Sequence, residues 1–171
     1  MYRPVLFITA STLTTLITDL TRFYPKEGGG FLFGSVDERN RTWINHYVPI
    51  AGRRDEYSFA FRQSAIAKAY KQLPRSASGT CCLGFVHTHP YPEGFHPSSL
   101  CQSTDDALTQ IGLNLKYSLI LGLAPGEWGM TAWEMGFAAP VEVKVWDEAK
   151  NRTNRLQVWL QRNRQVLAGL Y

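Results

Sequence analysis

The sequence predicts an α/β (α+β) domain built as a mixed central β-sheet flanked by helices. Three observations carry that reading. Apolar residues at strand spacing and at helix spacing are interspersed along the chain rather than separated into blocks. One short, nearly continuous apolar run, Cys81 to His87, has the composition of a central strand buried on both faces. A length of 171 residues suffices for one hydrophobic core, so residues 1–171 are expected to form a single domain.

Taken in order, Pro4 to Ala10 reads as a first strand. Its apolar run is too short for a signal peptide and far too short to span a bilayer. Ser11 or Thr12 can cap a helix running to about Tyr24, with Leu13, Leu16, Ile17, Leu20 and Phe23 on its apolar side. Pro25 ends that helix. Gly28, Gly29 and Gly30 form a flexible approach to a strand over Phe31 to Val36, and a polar turn leads to a second strand over Thr42 to Pro49. Ala51 to Tyr57 is a polar loop. Phe59 to Leu73 contains a helix with Ile66, Ala69, Tyr70 and Leu73 at helical spacing. A Ser/Gly/Pro loop precedes the strand at Cys81 to His87, and a long loop over Pro90 to Gln102 follows it. Asp105 to Leu113 is expected to be a short helix. Tyr117 to Ala124 and Trp128 to Phe137 are strands joined at Pro125-Gly126, and Val141 to Trp146 is another. An amphipathic helix over about 152–170, carrying Leu156, Leu160, Leu167 and Leu170, closes the chain. Periodicity does not fix the strand order.

A composition of 44% hydrophobic and 19% charged residues excludes a disordered or fibrous chain. The formal net charge is +4, with a basic cluster at Lys150, Arg152, Arg155, Arg162 and Arg164. That cluster reads as a solvated helix face before it reads as a nucleic-acid site, so neither nucleic acid nor membrane is an expected partner. Cys81, Cys82 and Cys101 are odd in number and lack C-x-x-C spacing, which argues against a disulfide framework and for a reducing, cytoplasmic setting. Without a secretion signal, the glycosylation patterns at Asn40 and Asn151 are chance matches.

The chemistry begins at His87-Thr88-His89. A strand puts alternate side chains on one face, so both imidazoles point the same way at the end of a strand. Taken alone, such a pair is common. Asp106 would complete a set of two His and one carboxylate, the count of protein ligands in a catalytic zinc site whose fourth position holds water. Ser103-Thr104-Asp105-Asp106 also has the plainer reading of a helix cap with acidic residues in the first turn, and the two readings are compatible. Glu27, between Pro25-Lys26 and three glycines, is the candidate general base, although on its own it resembles any exposed turn residue. His46 lies in a strand and reads as structural. Trp128, Trp133 and Trp146 occupy strand positions and read as core or interface.

Together these segments resemble the JAMM (JAB/MPN) metallopeptidase family. Pro-Lys-Glu-Gly-Gly-Gly-Phe-Leu-Phe-Gly at 25–34 is similar to its P-x-E-x-x-G-x-L-x-G segment, His87-Thr88-His89-Pro90 to its H-[ST]-H-P, and Ser103 to Asp106 to its S-x-x-D, in the family's order over roughly residues 3–125. The resemblance implies a JAB1/MPN-like (cytidine-deaminase-like) fold and one zinc ion per chain. It implies that His87, His89 and Asp106 are the ligands, Glu27 the general base and Ser103 the oxyanion stabiliser. The segment 91–102 is longer than the family's usual spacing, which leaves Asp105 as an alternative to Asp106 and lets Glu93, His96 or Cys101 approach the metal. JAMM enzymes cut amide or isopeptide bonds, often after the C-terminal glycine of a ubiquitin-like protein. This chain resembles the short prokaryotic JAB peptidases encoded beside ubiquitin-like conjugation enzymes, including antiphage systems such as CBASS. The expected substrate is thus a ubiquitin-like modifier or its conjugate. Trimming of a sulfur-carrier protein is an alternative target, and a non-catalytic MPN scaffold an alternative of another class.

Overall fold

A computed structural model describes residues 5–50, 61–91, 100–125, 127–136 and 139–168. Within them the chain forms β1 (Val5–Thr9), α1 (Ala10–Thr21), β2 (Gly29–Val36), β3 (Thr42–Pro49), α2 (Gln63–Tyr70), β4 (Cys81–Pro90), α3 (Thr104–Gly112), β5 (Tyr117–Ala124), β6 (Glu127–Glu134), β7 (Glu142–Asp147), β8 (Arg152–Arg155) and α4 (Leu156–Ala168). The strands make one mixed sheet in the order β6-β5-β4-β2-β3-β1-β7-β8. β1 runs parallel to β3 and β7, and β4 parallel to β5; the remaining neighbours are antiparallel. This is the expected mixed sheet flanked by helices.

Each face has its own core. On one, α1 and α4 bring Leu13, Leu16, Leu20 and Trp159 onto Leu6, Ile8, Val143 and Val145. On the other, Ile66 and Ala69 of α2, with Leu113 and Leu115, cover Phe31, Phe33 and Phe85. β2 and β4, at the middle of the sheet, therefore bury both faces, which is why neither shows clean alternation in sequence. The glycines at the start of β2 do more than loosen the chain. A Cβ on Gly28 would stand 2.8 Å from Phe23 Cδ2, and one on Gly30 would collide with the Tyr47 ring and lie 2.6 Å from Val48 O. Close packing, more than flexibility, requires them.

Several boundaries depart from expectation for identifiable reasons. α1 starts at Ala10 because Thr9, in extended conformation, is the N-cap and its Oγ1 accepts from Thr12 N. Ser11 is already engaged: its hydroxyl and backbone N–H both donate to Glu148. The helix ends at Thr21, and single turns carry the chain to Pro25. β4 continues past His87 to Pro90, because pairing with β5 runs on to Pro90–Leu123 and Tyr91 N donates to Leu123 O at 2.7 Å.

The terminal helix begins at Leu156, not at 152. Asn151 takes a positive φ of 48°, turning the chain so that Arg152–Arg155 pairs antiparallel with β7. The side chain of Leu167, the residue Leu170, the polar loop over 51–57, Phe137 and Gly126 lie outside the described residues. Among the described residues no helix is long and apolar enough to cross a membrane.

Candidate metal centre

Strand alternation puts Phe85, His87 and His89 on the α2 face of β4. His87 is 4% exposed. Its ring stacks on Phe85 at a centroid distance of 5.7 Å and meets the edge of Phe61 at 6.3 Å, so an apolar wall backs the imidazole and limits its orientation. His89, two residues on, stands nearer solvent.

The third group arrives from α3. Ser103 is its N-cap. The Ser103 hydroxyl accepts from Asp106 N at 3.1 Å, and the Asp106 carboxylate accepts from Ser103 N at 2.9 Å through Oδ2, which closes a capping box. The box turns the other carboxylate oxygen toward β4: Asp106 Oδ1 lies 2.9 Å from His87 Nε2, and Oδ2 lies 3.8 Å from His89 Nε2. Asp105 is exposed and is not a member of this group. The helix cap and the centre are thus two roles of one residue, as the sequence allowed. Cys101 is exposed and lies outside this group, while Glu93 and His96 fall outside the described residues. His46, on β3, pairs with Phe33 of β2 and is not a member of this group.

The arrangement fits a cation better than it fits hydrogen bonding. His87 Nε2 and His89 Nε2 are 2.8 Å apart. Only one proton can sit between them, and His87 Nε2 simultaneously faces Asp106 Oδ1. Two imidazole nitrogens and a carboxylate oxygen, all within 4.8 Å of one another, could hold a metal ion. Zinc bonds of about 2.0–2.1 Å at a tetrahedral angle place neighbouring ligand atoms about 3.3 Å apart; His87 Nε2 lies 2.8 Å from His89 Nε2 and 2.9 Å from Asp106 Oδ1, a few tenths of an ångström inside that value.

His89 Nδ1 is 3.2 Å from Tyr91 Oη. A proton on Nδ1 given to the phenol leaves the Nε2 lone pair for the centre. His87 Nδ1 is buried and has no hydrogen-bond partner among the described residues. Burial raises the Asp106 carboxyl, but the His87 hydrogen bond and charge, followed by the Ser103 donors, outweigh it and hold the group well below the usual carboxylate range. Asp106 therefore stays ionised.

Glu27 is brought to the same end of the sheet by the β2–β4 register. Gly29 pairs with His87, and the ladder extends one step further through Thr88 N to Gly28 O at 2.9 Å and Gly28 N to Thr88 Oγ1 at 2.8 Å. Glu27, half-buried, immediately precedes Gly28 at this end of the sheet. Sequence reasoning missed Tyr91 and Thr88. The signal for Tyr91 was available, since it follows His89 by two residues and so shares its face if the strand continues. Thr88 follows from the same alternation: its side chain points away from the two imidazoles and into the β2 ladder.

A family model for prokaryotic homologues of the JAB domain matches residues 9–136. Among solved structures, the chain is similar to the solution structure of a Desulfitobacterium hafniense protein, with 19% identity over 84% of this chain and 94% of that one and a TM-score of 0.62. It is also similar to the crystal structure of a JAB1/MPN domain protein from Archaeoglobus fulgidus, with 18% identity over 82% and 98% of the two chains and a TM-score of 0.52. No curated protein sequence matches significantly. At such identities the structural likeness speaks for the fold alone. The family match spans well over half the chain, and the chain belongs to the prokaryotic homologues of the JAB domain.

Proposed function

We propose that the chain is a zinc-dependent peptidase or isopeptidase that hydrolyses the amide bond after the C-terminus of a ubiquitin-like modifier. The observation that carries this reading is the convergence of His87 Nε2, His89 Nε2 and an ionised Asp106; Glu27 stands two residues before Gly29, the partner of His87 in the β2–β4 ladder. Two imidazoles and one carboxylate are a catalytic zinc donor set, with one position left for water. Bound there, zinc supplies a Lewis acid for the scissile carbonyl and lowers the pKa of its water toward about 7. Glu27 takes the proton from the attacking water and passes it to the leaving amine. The Ser103 hydroxyl accepts from Asp106 N, so its own O–H remains to donate to the oxyanion. The three cysteines are free thiols, in keeping with work in the cytoplasm.

The test combines zinc content with cleavage of a ubiquitin-like fusion. Glu27→Gln is expected to keep its zinc and lose turnover, whereas Asp106→Asn loses both. Undiminished turnover in Glu27→Gln would remove that residue from the mechanism.

A further inference from the structure

Asp106 reaches the centre only after the chain has left β4 and returned at Leu100, so strand geometry does not set its position. α3 itself offers little apolar grip. Of its nine residues Gln110 is the buried one, at 2% exposure, while Leu108 and Ile111 are exposed. Gln110 stands four residues after Asp106 and so shares its helical face. Its amide is fully engaged. Nε2 donates to Lys116 O at 2.8 Å and to Trp133 O at 3.4 Å, and Oε1 accepts from Gln102 Nε2 at 2.8 Å. Gln102 immediately precedes the N-cap. A second tie holds the same returning segment, because Trp133 Nε1 donates to Leu100 O at 3.3 Å.

We infer that Gln110 is a positioning residue for the metal centre: its side-chain amide fixes α3 and the returning segment 100–103 to Lys116, at the entry to β5, and to β6, and thereby sets where Asp106 stands relative to His87 and His89. The inference rests on the reading of Asp106 as a ligand. Its physical basis is directional. Apolar contacts would let a short helix slide or rotate at little cost, whereas a buried amide with donors and acceptor all satisfied has one geometry. Groups that orient ligands from behind typically govern metal affinity by about 10–100-fold.

The experiment measures zinc affinity by chelator competition on the full chain. Gln110→Met, similar in length but without the donors and acceptor, is expected to bind zinc at least tenfold more weakly and to change the d–d spectrum of the cobalt(II) form. Val145→Ala, in the opposite core, lowers thermal stability as a control and is expected to leave zinc affinity within twofold. Gln102→Ala cuts the tether from a less buried position and is expected to weaken zinc several-fold; it decides the matter if Gln110→Met fails to fold. Wild-type zinc affinity and cobalt spectrum in the folded Gln110 variant, or in the Gln102 variant should that one alone fold, overturn the inference while leaving the metal centre intact. A wild-type protein that binds no zinc overturns both.

Discussion

Thr88→Val is the sharpest test of how the Glu27 segment is held. Thr88 is fully buried, and its Oγ1 is the acceptor for Gly28 N at 2.8 Å. Valine has nearly the same shape, so no cavity opens, but the acceptor disappears. Gly28 is itself buried, with Phe23 and Leu20 packed beside it, and its N–H has no easy route to water. Leaving a buried donor unsatisfied costs about 1–3 kcal/mol. Against a total stability of about 5–15 kcal/mol the protein still folds. For a domain of this size the melting temperature falls by about 2–4 °C per kcal/mol, or about 2–12 °C in all. On the proposed role of Glu27 as general base the functional effect is larger, because Glu27 is the adjacent residue and a displacement of about 1 Å at a reacting group costs about 100-fold. Turnover on a ubiquitin-like fusion is expected to fall by about 10–100-fold with zinc retained, and Thr88→Ser restores both stability and turnover. The assay pairs thermal melting with zinc content and single-turnover cleavage. A Thr88→Val protein that melts within a degree of the wild type would refute the reasoning.

Tyr91→Phe removes the phenol 3.2 Å from His89 Nδ1 and is expected to weaken zinc by about tenfold, read by calorimetry. Asp37 gives a pH signature. Burial raises its carboxyl, but donors from Arg41 and Trp43 and the Arg41 charge bring it from 3.8 to about 2. Its folded pKa lies below the unfolded one, so the carboxylate stabilises fully above pH 3.8 and the contribution disappears as pH falls toward 2. Asp37→Asn should flatten that stretch of an acid-unfolding curve followed by tryptophan fluorescence. Burial first, and the neighbouring Cys81, push the Cys82 thiol up to about 12 against the backbone at Gly84. Iodoacetamide at pH 8 is therefore expected to label exposed Cys81 and Cys101 and to spare Cys82, as mass spectrometry of the peptides would show.

Strands whose sequence carries their own punctuation were legible. β3 and β5 run over the residues that pattern assigns to them, Thr42–Pro49 and Tyr117–Ala124. The grouping of His87, His89 and Asp106 was legible through the three motifs and the family they resemble; the residue types alone left the histidine pair ambiguous. What escaped detection depends on partners distant in the chain. β8 is a polar tetrapeptide, Arg-Thr-Asn-Arg, with no apolar alternation to announce it; it is a strand because β7 offers it a ladder. The start of α1 was displaced because Glu148, far along the chain, takes the donors of Ser11. The end of β4 was lost at Pro90, where a proline suggests a loop, yet the parallel neighbour β5 still pairs with that residue. Gln110 looks like any polar helix residue until the sheet supplies its acceptors.

The capping box at Ser103 restricts what kind of centre this fold can evolve or be redesigned to carry. One oxygen of the Asp106 carboxylate seals the first turn of α3, and the other faces His87. Replacing the aspartate by cysteine or histidine to recruit a softer ion would also unstitch the helix that presents it, and a glutamate is one methylene too long to keep both bonds. Changes in metal preference therefore have to enter through the two histidine positions, leaving a hard oxygen donor as the permanent member of the set.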